Sequence, residues 1–137
     1  MIIELNRKND FYHFEANNEV GNKVQIDASE AIGGKNMGSR PMELLIMGLG
    51  GCSAIDVISI LKKQKIELED FKIKIDAQRE PDAVPSLFKD IHVEFSVKGP
   101  VDQGKVERAI ALSMDKYCSV AKTLEKTAKI TYSLKVQ

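Results

Sequence analysis

The sequence predicts an α+β fold in which antiparallel β-structure packs on a long central helix. Three observations predict it. Apolar and polar residues alternate in separate blocks near both ends and in the middle of the chain, which is the period of a half-buried strand. Residues 41–63 carry apolar side chains around almost the whole circumference of a helix, the pattern of a buried element. Strands and helices fall in blocks and do not alternate strictly, which separates α+β from a doubly wound parallel sheet.

Taken in order, residues 1–28 read as a three-stranded antiparallel meander, "IIEL", "FYHFEA" and "KVQIDA", divided by the turn compositions "RKND" and "NEVGN". "SEAIGGKNMGSRP" holds three glycines and a proline and reads as a loop. Pro41 suits a first helical turn, where its missing N–H is no loss. In the central helix over 41–63, Leu44, Leu45, Leu49, Ile55, Ile58 and Leu61 recur at helical spacing, while Met47, Val57 and Ile60 cover the other sides. A β-hairpin follows over 70–99, from "FKIKIDAQ" through the turn region "REPDAVPSLFKD" to "IHVEFSVKG". A helical region over 102–126 sets Val106, Ala109, Ile110 and Ser113 on one face, frays toward Tyr117 and makes a shorter turn around Leu124. Residues 128–137 close the chain as a strand through Ile130, Tyr132, Leu134 and Val136. Together these segments predict a single domain over 1–137, a length sufficient for one core.

Composition excludes several classes of partner. Twenty basic residues balance twenty acidic ones and are scattered, so no field favours nucleic acid or an anionic membrane. Charges at Glu4 and Arg7 interrupt any signal-like apolar core, giving the expectation of a cytoplasmic protein. Twelve uncharged residues lie between Glu43 and Asp56, short of the roughly 20 that span a bilayer, so a core helix is expected and not a membrane span.

Three glycines, Gly48, Gly50 and Gly51, interrupt the apolar helix directly before Cys52. Each costs roughly 1 kcal/mol in a helix interior relative to alanine, so a close approach by another backbone is the expected return. "GLGGC" also invites a dinucleotide fingerprint, but Ser53 stands at its third position and no βαβ frame surrounds it. No cofactor is expected.

Cys52 and Cys118 stand sixty-six residues apart, without a CxxC pair and without a neighbouring histidine, which is poor spacing for a metal motif. No metal is expected. His13 and His92 alternate within strands and read as surface residues. Asp56, alone in an apolar helix one turn after Cys52, reads as paired with a lysine or a backbone group, and its carboxylate would oppose a thiolate beside it.

The stretches "RPMELLIMGLGGCSAIDVISILKK" and "KYCSVAKTLEKTAKITY", with the run from Pro85 to Gly99 between them, resemble the OsmC/Ohr family of thiol-dependent hydroperoxide reductases. The resemblance covers most of the chain, and its specificity lies in the two cysteine motifs together. It implies an intertwined homodimer with active sites at the subunit interface, where the small residues before Cys52 would admit the partner. It also implies a peroxidatic Cys52, a resolving Cys118, an organic hydroperoxide substrate and an external dithiol reductant.

Cys52 lies eleven residues past Pro41, too far along the helix for its N-terminal dipole to help a thiolate, so a positive partner is required. Family peroxidases use an arginine held by a glutamate. Aligned on Leu44, the usual glutamate position holds Met42, so the dyad is either absent or rebuilt from Arg40 and Glu43. Glu43 has a second reading, as a first-turn charge that favours the helix dipole. The alternative to a peroxidase is a redox-sensing or small-molecule-binding member that keeps the cysteines without efficient turnover.

Overall fold

The computed structural model describes residues 1–137, and the chain is α+β. It divides into two compact units, residues 1–45 and 46–137; helix α1, Pro41–Lys63, begins in the first and ends in the second.

In the first unit, β1 (Glu4–Arg7), β2 (Phe14–Asn17) and β3 (Lys23–Ile26) form an antiparallel sheet in chain order. The loop that follows is organised by one side chain. Asp27, only 1% exposed, accepts hydrogen bonds from the backbone N–H groups of Ala28 (2.7 Å), Met37 (3.0 Å) and Lys35 (3.1 Å). The loop therefore folds around a carboxylate, and it needs glycine at two places. A Cβ on Gly34 would overlap the Ala28 carbonyl, and one on Gly38 the Gln25 carbonyl.

The Met37 N–H, above all, with those of Ala28 and Lys35, holds the Asp27 carboxyl below its ordinary range against the burial that would raise it. A carboxyl with a lowered folded value binds its proton less readily folded than unfolded. Its stabilisation is therefore present above about pH 4 and lost as the pH falls through the folded value. Asp27→Asn, which cannot titrate, should lower the melting temperature at pH 7, and its deficit against wild type should shrink below about pH 4. A deficit that stays constant from pH 7 to pH 3 would contradict this account.

The second unit holds a three-stranded sheet in the order β4 (Asp70–Arg79), β5 (Phe88–Lys98), β6 (Lys129–Val136). Alternation builds its core face: Ile91, Val93, Phe95 and Val97 of β5 are buried, and Ile73 and Ile75 stand opposite Phe95 and Val93. Phe71 stacks on Phe95 at 6.2 Å between centroids. The other face is polar, with His92 bonded to Thr131 (2.8 Å) and Ser133 (3.0 Å) across β5 and β6.

The antiparallel expectation holds for β1–β3 and for the β4–β5 hairpin, but β6 lies parallel to β5. The reason is the connection. A parallel neighbour needs a crossover of a dozen or more residues, and the helical region between the strands supplies it. That region comprises α2 (Gln103–Leu112), capped by Asp102 accepting the Lys105 N–H at 3.2 Å, a π-helical turn over Ser113–Tyr117, and α3 (Ser119–Leu124).

Leu49, Ser53, Val57 and Leu61, each four residues after the last, form the buried stripe of α1. Buried Ser53 is satisfied by donating to the carbonyls of Leu49 (2.9 Å) and Gly50 (3.1 Å). Other sides of the helix stay open: Met47 is 55% and Ile55 67% exposed. By length and composition α1 would also pass for a bilayer-crossing helix, which the count of twelve uncharged residues understates.

Candidate active site

Two elements of the second unit carry the cysteines. Cys52 sits half-buried in α1, and Asp56 follows it one turn later on the same side. Cys118 comes from the end of the π-helical turn. Its backbone N–H reaches the Ser113 carbonyl at 2.8 Å, the wide bond that defines such a turn, and its backbone then turns extended before α3 begins. The turn buries Ser113, Met114 and Cys118 while leaving Asp115, Lys116 and Tyr117 exposed. Inserted turns of this kind are rare in helices and concentrate where side chains must be re-aimed for function.

The result is a compact cluster. The sulfurs of Cys52 and Cys118 and a carboxylate oxygen of Asp56 all lie within 4.8 Å of one another, and both cysteines are free thiols. Ser113, buried and projecting from the π turn, donates its hydroxyl to Asp56 Oδ2 at 3.0 Å. The expected lysine or backbone partner of Asp56 is thus replaced by a serine 57 residues further along the chain. None of the four ion pairs in the chain involves Asp56.

The two thiols differ in environment. Cys118 is fully buried, and its sulfur accepts the Ala121 N–H at 3.4 Å. Burial first, and then the adjoining Cys52, push the Cys118 thiol up to about 11, against the pull of the Ala121 and Val120 amides. Cys118 accordingly waits as a protonated thiol near neutral pH. Cys52, half-buried on α1, is the more open of the two cysteines.

The glycines before Cys52 separate into two kinds. A Cβ on Gly50 would come within 3.3 Å of Ile75 Cδ1, the flexible tip of a side chain, whereas Gly48 and Gly51 face open space. No neighbour within the chain uses the room at those two positions.

The OsmC-like protein family matches residues 33–133, a span that contains both cysteines, Asp56 and the π turn. This chain belongs to the OsmC-like family. Across 97 residues it is 46% identical to Protein YhfA of Escherichia coli strain K12, covering 70% of this chain and 72% of that protein. It is also similar to a solved structure from Aquifex aeolicus VF5, with a TM-score of 0.81 at 30% identity over 99% of this chain and 96% of that one. The organic hydroperoxide resistance protein OhrB of Bacillus subtilis shares the fold, with a TM-score of 0.64 at 20% identity over 98% and 96% of the two chains.

In this OsmC-like chain Arg40 and Glu43 meet through the backbone. Glu43 Oε1 accepts the Arg40 N–H at 2.8 Å, the reciprocal half of a capping box at the start of α1. The Arg40 guanidinium is bonded instead to the Gly38 carbonyl (2.9 Å) and Asn36 Oδ1 (3.2 Å) of its own loop. His13 is bonded to Gln25 at 2.7 Å, and neither histidine belongs to the cysteine cluster. The residue that sequence reasoning undervalued is Asp56. Its signal was present in the spacing, because four residues on a helix bring two side chains to one face.

Proposed function

We propose that this OsmC-like protein reduces organic hydroperoxides with Cys52 as nucleophile and Cys118 as resolving thiol. The observation that carries the reading is the meeting of two free thiols from distant segments, one reachable and one buried, within 4.8 Å. The Cys52 thiolate attacks the terminal peroxide oxygen; an S–O bond forms, the O–O bond breaks, and the alkoxide leaves as an alcohol after taking a proton. Cys118 then attacks the sulfenic sulfur. The S–S bond forms, the S–O bond breaks, and the hydroxide leaves as water with the Cys118 proton. An external dithiol returns both thiols by exchange.

The reading includes a homodimer in a reducing cytoplasm. Open space at Gly48 and Gly51, together with the exposed Met47 and Ile55, supports a second copy covering this part of α1. Arg40 and Glu43 enter the reading as residues that set the helix start; for the guanidinium to assist a thiolate it must leave Asn36 and Gly38.

One equivalent of cumene hydroperoxide added to reduced protein should convert both cysteines into a single intramolecular disulfide, read by non-reducing peptide mapping. Recovery of both as unmodified thiols would sink the mechanism. The alternative, a redox-sensing or small-molecule-binding role without turnover, is favoured by the Asp56 carboxylate, which opposes charge on either sulfur. Peroxide consumption under saturating dithiol separates the two: sustained turnover belongs to the first, a single oxidation to the second.

A further inference from the structure

We propose that Cys52, Asp56 and Cys118 bind one divalent cation of the zinc class, and that occupation holds the two thiols apart from peroxide chemistry. The inference concerns the same thiols as the reading above and adds a state that regulates it. Its first support is geometry. Two sulfurs and a carboxylate oxygen within 4.8 Å of one another are close to the separations of ligands around a single ion, since zinc lies about 2.3 Å from sulfur and about 2.0 Å from oxygen.

Cys52 and Asp56 stand four residues apart on α1, the spacing by which a helix offers two ligands from one face. The π turn brings the third from a separate element. Motif spacing could not disclose such a site, because its ligands do not come from one short loop.

Charge is the second support. The Asp56 carboxylate lies beside two ionisable thiols and forms no ion pair with a basic side chain, so its charge has no cation paired to it. A divalent ion supplies one. On binding, each thiol yields its proton to solvent; two thiolates, the carboxylate and the cation sum to one negative charge, the same as the carboxylate alone before binding. No redox partner is needed.

Third, the ligands are held from behind. The Ser113 hydroxyl donates to Asp56 Oδ2 and holds the carboxylate in place, and the Ala121 N–H donates to the Cys118 sulfur. Three protein ligands leave a fourth position open, and two sulfurs select zinc-like ions over magnesium or calcium.

The test is titration of the reduced, full-length protein with cobalt(II) under anaerobic conditions. One equivalent per chain should produce a thiolate-to-cobalt absorption band that zinc removes. Asp56→Asn should weaken binding about tenfold or more, as loss of an oriented ligand does. Circular dichroism checks that the variant is folded; should it not fold, protection of wild-type Cys52 from iodoacetamide by zinc, lost in Cys118→Ser, provides the same decision. A missing thiolate band at excess cobalt overturns the site, as does a midpoint unchanged in folded Asp56→Asn, or Cys52 alkylated equally fast with and without zinc. Hydroperoxide turnover measured in chelator bears on the peroxidase reading alone, so the two fail separately.

Discussion

Cys52→Ser is expected to abolish hydroperoxide consumption completely, whereas Cys118→Ser should consume about one equivalent per chain and then stop. The asymmetry follows from the two environments. In the proposed cycle the more open Cys52 is the nucleophile, so its loss removes the first bond-forming step. In the proposed cycle Cys118, fully buried and with its thiol pushed up to about 11, enters only after a sulfenic acid has formed beside it. Rapid-quench measurement of the first turnover, followed by mass spectrometry of the stalled Cys118→Ser protein, should find sulfenic or over-oxidised Cys52. Equal loss of the first-turnover burst in both variants would contradict this division of labour.

The second large effect concerns substrate. Cumene hydroperoxide and tert-butyl hydroperoxide should show at least tenfold higher kcat/KM than hydrogen peroxide, because each buried methylene is worth about 0.8 kcal/mol and three of them about 2 kcal/mol. The apolar side chains near Cys52 in sequence divide in the structure: Leu49 belongs to the core, Met47 is exposed on another side of the helix, and Ile55, on the side next to Cys52, remains exposed and available to an alkyl group. Steady-state assays with one shared dithiol donor decide the matter. Hydrogen peroxide performing equally well would remove any role for that apolar wall.

Much of the fold was legible because it rests on periodicity. Alternation located β4 and β5, since Ile73, Ile75, Val93 and Phe95 must share one face, and Pro41 marked the start of α1. Alternation carries no direction, however. The same pattern in Ile130, Tyr132 and Leu134 suits a parallel or an antiparallel neighbour, so the orientation of β6 required the crossover to be seen. The site was legible in its cysteines through family resemblance, and much less so in the groups around them. Ser113 read as the end of an amphipathic face, and nothing in the period of α2 announces that its hydroxyl reaches Asp56. Arg40 and Glu43 invited pairing by charge, yet the carboxylate is committed to a main-chain N–H, a competition that composition does not reveal.

The π-helical turn also fixes a count. Between Leu112 and Cys118 lie five residues, and the last backbone bond of the turn spans one residue more than an α-helix would allow. Wound as an unbroken α-helix, the same residues would set Cys118 about 140° around the axis from Ser113, whereas the wider turn sets it nearly above. The second sulfur would then be carried to another side of the helix while every residue known to touch the cluster remained in the sequence. The meeting of the two sulfurs is therefore set partly by how this turn winds and not only by residue type. The ingredients would all be present, and only the winding between them would decide whether they meet.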